Sequence, residues 1–302
     1  MELFIIGNGF DIGHDLPTNY WDFRTYLKNI YPDFLHTFEE RYYISSIMSD
    51  VKEDNLLWSD LEGNLAKIDE DVIIEESTNI DMGLEGGDIG IEDTLFVFFS
   101  NQYKYIEQLA GYLKQWVKTI KIRDVQKKSS LITDDSMYIT FNYTGVLEKT
   151  YGISQSKIIH IHGSIRQKDI DPVLGHGDQE RIKRISEKIE KAEYLFDEKR
   201  LSIYRVIKNY YQKTFKDVKD YSRNLYRIDF KDVEGISVVG HSLASIDGKY
   251  FNLIDQMSER NLIWKIYYYH AGEKERLKNN LIDAGVEKER IELIPSLKFY
   301  DL

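Results

Sequence analysis

Five short apolar runs in this chain end alike. Leu3–Ile6 stops at Gly7-Asn8-Gly9-Phe10-Asp11, Met137–Phe141 at Asn142-Tyr143-Thr144-Gly145, and Ile158–Ile161 at His162-Gly163-Ser164. Ile236–Val239 stops at Gly240-His241-Ser242-Leu243-Ala244, and Leu262–Tyr269 at His270-Ala271-Gly272. Each run closes on glycine with Asn, His, Ser or Asp, and the starts carry nothing comparable. Unbroken apolar runs of this length read as strands buried on both faces, which is the condition of a parallel sheet. Ligands of such sheets bind beyond the carboxyl ends of the strands. The pattern therefore predicts an α/β fold, a Rossmann-like doubly wound parallel sheet whose strand ends form one rim, although Gly7 and Gly272 stand far apart in the chain. A helix over Lys274–Ala284 and a short last strand over Arg290–Ile294 complete it.

The first unit reads as strand, glycine turn and helix, a cradle for an anionic ligand. Thr18 is the expected N-cap of that helix, with Asp22 in its first turn and Tyr20, Trp21, Phe23, Tyr26, Leu27 and Ile30 as its apolar positions. The dinucleotide fingerprint GxGxxG is not met, because the third glycine, Gly13, comes one residue late. About 20 residues further on, where a ribose-binding acid belongs, stands Tyr31-Pro32. Hydride transfer is disfavoured. Taken alone, the motif also admits a tight turn with no ligand.

Between the strands lie segments of little strand character. Residues 50–93 are acidic and contain Gly83, Gly86, Gly87 and Gly90, so part of this segment is expected to be a mobile loop; Leu95 to Ile120 is helix-periodic. In Lys168–Lys231, basic residues such as Arg181, Arg184 and Lys188 alternate with Glu180, Glu187 and Glu190, as on a solvated helix face. Acids outnumber bases 51 to 40, for a net charge of −11, which speaks against general binding to nucleic acid or to anionic membranes. No apolar run approaches the roughly 20 residues of a membrane span. The chain has no cysteine, which excludes disulfides and thiolate zinc sites and fits a cytoplasmic location.

In chain order, GNGFD at 7–11, TFNYT at 140–144, IHIHGS at 159–164 and VVGHSLASID at 238–247 resemble the sirtuin-like superfamily. More narrowly, the opening IIGNGFDIGHDLPTNYWDF is similar to the abortive-infection AbiH family of bacterial phage-defence proteins. The resemblance covers the core strands and the first helix, and neither the acidic segment nor the charged helical lobe. It implies one sirtuin-like domain over residues 1–302, with mainly helical insertions at about 33–130 and 168–231, and NAD lying across the strand ends. Carried over, Asn142 orients the nicotinamide ribose and water, and His162 is the base. The turn Gly7, Asn8, Gly9 holds the pyrophosphate, and Gly240, Ser242 and Asp247 lie near the adenosine half. Phe10, Asp11, His14, Gly163 and Ser164 complete the expected binding set. The superfamily's protein deacylases carry a four-cysteine zinc module that this chain lacks, which points instead to an NAD glycohydrolase (NADase) without metal.

The residue types suit that chemistry. Breaking the bond from ribose C1′ to a cationic nicotinamide expels a neutral group, so one base is enough. Histidine, with a reference pKa of about 6.5, can deprotonate a ribose hydroxyl or water, and an amide can orient the water without competing for the proton. By period-two alternation His160 shares a strand face with His162 and is read as its structural partner.

Three other readings stand beside this one. The rim could bind NAD or ADP-ribose without turnover, as a sensor or partner-binding defence protein. A phage-derived or host protein as trigger and a homo-oligomeric assembly both fit that role. VVGHSLA imitates the GxSxG elbow of a serine esterase, with Ser242 as nucleophile and His270 with Asp247 or Asp255 behind it, but its second glycine is Ala244. A metal site from His14, His176, Asp11 and Asp178 would lack helical ligand spacing.

Overall fold

The computed structural model describes residues 1–40, 42, 56–79, 94, 97, 98, 104–166 and 169–301. Of the segment 50–93, residues 50–55 and 80–93, with Gly83, Gly86, Gly87 and Gly90, lie outside the described residues, as do Leu95, Phe96 and Phe99 of the helical pattern after it; the part between, 56–79, carries helices Leu56–Ser59, Leu61–Asn64 and Glu70–Asn79. The chain divides into two compact units. The first comprises Met1–Asp22, Leu113–Val173 and Asp217–Leu302; the second comprises Phe23–Tyr112 and Leu174–Lys216.

The first unit holds six strands: β1 (Glu2–Ile6), β2 (Met137–Thr140), β3 (Ile158–His160), β4 (Gly235–Val239), β5 (Trp264–Tyr268) and β6 (Ile291–Pro295). All are parallel, in the order β3-β2-β1-β4-β5-β6. This is a Rossmann-like α/β sheet, and the strand order reverses between β1 and β4. Ile6 pairs with Thr140 and with Val239, Thr140 with His160, and Val239 with Tyr267. The strands therefore stop on one level, and the five glycine-polar ends leave the sheet side by side.

Alternation along the strands fills two apolar layers. Leu3, Ile5, Ile139, Ile236, Val238 and Trp264 pack on one face with Phe251 and Leu277. Phe4, Ile6, Tyr138, Ile158 and Val239 pack on the other with Phe10 and Phe299. Phe4 stacks on Tyr138 with ring centroids 5.4 Å apart. Each such buried side chain contributes about 1.5–3 kcal/mol relative to exposure.

Two local expectations are corrected. A short helix, Asn8–Gly13, follows β1 directly, so Gly9 and Gly13 are helical. Gly13 is needed there because a Cβ would run into the Tyr300 hydroxyl. The helix Tyr20–Ile30 is capped by Asn19 and not by Thr18. Asn19 Oδ1 accepts from the Asp22 amide at 3.0 Å and Asp22 Oδ2 accepts from the Asn19 amide at 3.1 Å, a reciprocal capping pair.

The described residues of the second unit are mainly helical. Helices Gln179–Tyr194 and Glu198–Lys213 form a hairpin, capped at their starts by Asp178 and Asp197. The first buries only Ile185, Ile189 and Ala192, so its interleaved charges form a solvated face. Arg24 donates to both oxygens of Glu39, at 2.7 and 3.1 Å, and Trp58 Nε1 donates to the same carboxylate at 2.6 Å.

Candidate functional site

At the strand reversal the loops leaving β1 and β4 touch. Gly7 N–H donates to Val239 O at 2.9 Å, Gly9 N–H to Gly240 O at 2.7 Å and Phe10 N–H to Gly7 O at 2.9 Å. A Cβ on Gly7 would lie 2.5 Å from His241 Cα, and one on Gly9 2.8 Å from Gly240 Cα. The glycines are thus required by chain packing on chain. These three amides are satisfied within the protein, which limits the expected pyrophosphate cradle to what Asn8, whose side chain is exposed, can offer. Phe10 and His14 belong to the core: the Phe10 ring packs on Tyr151 and Phe299, and His14 bridges Phe10 O and the Tyr151 hydroxyl, both at 2.7 Å. Burial lowers the His14 pKa, despite the pull of its bond to Phe10.

Asn142 leaves β2 beside this contact. Its Nδ2 donates to Gly7 O at 3.1 Å, which fixes the amide's orientation and turns Oδ1 into a waiting acceptor. Oδ1 is buried and makes no hydrogen bond, and the same holds for Oδ1 of Asp11. Asp11 Oδ2 accepts from the Thr144 hydroxyl at 2.5 Å. Burial pushes the Asp11 carboxyl up to about 6, against the opposing pull of Thr144, Asn142 and His160.

A carboxyl with a higher pKa folded than unfolded favours the protonated fold. Its contribution is complete below about pH 4 and is lost as the pH rises through about 6. Two units correspond to about 3 kcal/mol. Urea midpoints measured from about pH 4 to about pH 7 are expected to fall in the wild type through this group, and Asp11→Asn should flatten that part of the curve.

The two histidines of IHIHGS do not share a face. β3 ends at His160, the chain turns, and Gly163 takes φ +80°, where a Cβ would meet Ile170 O and Asp171 O at 2.5 Å. The turn swings His162 onto the face of Phe141 and Tyr250, at ring separations of 5.2 and 5.4 Å. Its Nε2 stands 3.2 Å from the Tyr250 hydroxyl and 3.9 Å from Asp247 Oδ1. Asp247 Oδ2 is also 3.5 Å from His241 Nε2. His241 Nδ1 accepts from Leu243 N–H at 2.9 Å, so Nε2 carries the proton that faces Asp247. His160 keeps to the other side, between the Asn142 carbonyl and Glu148, each at 3.0 Å.

Ser164 builds the loop. Its hydroxyl donates to Asp169 at 2.5 Å, Arg166 grips both oxygens of Asp169 at 2.6 and 2.9 Å, and Arg166 Nη1 donates to Glu148 at 3.1 Å. Burial would raise the Glu148 carboxyl, but the bond to His160 and the charges of His160 and Arg166 hold it below its ordinary range.

Ser242 is exposed, and its carbonyl accepts from Arg276 and Asn280, each at 3.3 Å. The left-handed residues of this loop are Gly240, at φ +65°, and Leu243, at φ +55°. Asp255 is clamped by Arg290 at 2.7 and 2.8 Å, and His270 caps the turn Ala271–Glu273. The esterase triad is not assembled among the described residues. Nor do they hold a group of three or more metal-ligating His, Asp or Glu side chains. Beside Ser242, a cavity of about 340 Å³ is lined by Ser245, Lys249, Asn252, Asn280 and Asp283.

Sequence reading missed Thr144, Glu148, Arg166, Asp169 and Tyr250. A signal existed for the first four: Thr144 stands inside the motif TFNYT, and Glu148, Arg166 and Asp169 follow a strand-end motif by a few residues. Tyr250 is one of 22 tyrosines, and nothing singles it out.

The sheet order and the polar residues at its strand ends define a Rossmann-like α/β protein. The family model for bacteriophage abortive infection AbiH matches residues 3–268, and the chain belongs to that family. Its role is in abortive infection, a defence against phage. No curated protein and no solved structure matches the chain. Among the described residues no helix is long and apolar enough to cross a membrane.

Proposed function

We propose that the rim binds NAD and hydrolyses it to nicotinamide and ADP-ribose during phage infection, in the manner of the sirtuin-like superfamily. The observation that carries this is Asn142: buried, oriented by Gly7 O, with an unpaired Oδ1 next to an unpaired Asp11 oxygen on the level where β1 and β2 end. Two unsatisfied buried acceptors call for donors, and ribose hydroxyls or an attacking water supply them. His162, on the neighbouring strand end, takes the proton, and Asp247 stabilises the imidazolium that forms. The cavity beside Ser242 is of the size that ligand pockets begin at, about 300 Å³, and receives the adenosine half.

A second reading has its own support. His162 is only 3% exposed, under Phe141 and Tyr250, which suits a pocket that binds NAD or ADP-ribose and signals to a partner or a second copy without turnover. Following nicotinamide release from NAD by purified protein separates the two: release that Asn142→Ala abolishes supports the hydrolase, and binding without release supports the sensor.

A further inference from the structure

His160 faces two atoms that can only accept. Nδ1 is 3.0 Å from the main-chain oxygen of Asn142, and Nε2 is 3.0 Å from Oε1 of Glu148. A neutral imidazole carries one N–H, so in either tautomer one contact would set lone pair against lone pair. The ring is 1% exposed, so bulk water cannot relieve that contact. We infer that His160 is a doubly protonated imidazolium, held charged by Glu148, and that this pair is the positioning device for Asn142.

The surroundings balance the charge. Glu148 Oε1 also accepts from Arg166 at 3.1 Å, and Arg166 binds Asp169 through two nitrogens. Two cations and two anions thus alternate along a chain from β3 into the following loop, with Asp11 close enough to feel the His160 charge. Such a chain is stable when every member is paired, and removing one member leaves the others buried and uncompensated. The charged N–H on the Asn142 carbonyl is stronger than a neutral one and fixes the main chain from which the Asn142 amide reaches Gly7. His160 and Glu148 therefore act on the rim through Asn142 and touch no ligand themselves.

The protonation state stands on its own contacts, and only its effect on turnover rests on the NAD reading. In protein with ¹⁵N-labelled histidine at about pH 7, the His160 signals, assigned by their loss in His160→Gln, are expected to show two N–H nitrogens. A lone-pair nitrogen on His160 at neutral pH would overturn the inference. Glu148→Gln keeps an acceptor of the same shape and removes the charge. In this variant His160 is expected to show one N–H nitrogen and one lone-pair nitrogen, and the kcat for nicotinamide release to drop about tenfold at unchanged KM. A His160 that stays doubly protonated in Glu148→Gln contradicts the clamp. If the wild type releases no nicotinamide, the hydrolase reading fails while the nitrogen signals still decide this one.

Discussion

Gly240→Ala is expected to cost about 4 kcal/mol of stability, read as a lowered denaturant midpoint. Gly240 sits at φ +65°, where a side chain is strained, and its Cβ would be driven into the amide nitrogen of Phe10 and the main chain of Gly9. The left-handed backbone costs about 1 kcal/mol and the forced overpacking up to about 3 more. No flexible side chain can yield there, so the β1 and β4 loops must part, and the Gly9 N–H to Gly240 O bond is lost with them. Against a typical total of about 5–15 kcal/mol, that loss is large. Gly248→Ala, at the first residue of the helix Gly248–Met257 that follows, is the control: its Cβ would meet only Ala284 Cβ, at 3.8 Å, and the change should stay within about 0.5 kcal/mol.

The second large effect is on chemistry. His162→Ala and Asn142→Ala are each expected to cut nicotinamide release by about 10²–10⁴-fold, the usual contribution of a positioned proton acceptor and its partners. The effects should not multiply, because both residues serve one attacking group. Tyr250→Phe removes only the hydroxyl that faces His162 at 3.2 Å and should cost less than either. Circular dichroism of all three variants separates lost chemistry from lost fold.

The sheet was legible because its evidence is local. Each strand declares itself by an apolar run, and the shared character of the run ends predicts their common level. What failed depends on partners far away in the chain. The glycines of 7–9 read as room for a ligand, yet the backbone of Gly240 and His241 fills that room, more than 230 residues on. His160 and His162 looked alike because alternation assumes that the strand continues; β3 stops between them, and the turn at Gly163 sends them to different faces. Glu148, Arg166 and Asp169 went unremarked, since a charge shows itself as buried only when its counter-charges are in place. Thr18 and Asn19 both qualify as caps by type, Asn the better of the two, and the position of Asp22 three residues after Asn19 decides between them.

The most direct test is a structure of His162→Ala, which should bind without turnover, determined with NAD present. The nucleotide is expected against Asn142 and Asp11, with its adenosine half toward Ser245 and Asn280. NAD seated elsewhere on the molecule, or no NAD bound to a correctly folded protein, would contradict a strand-end nucleotide site.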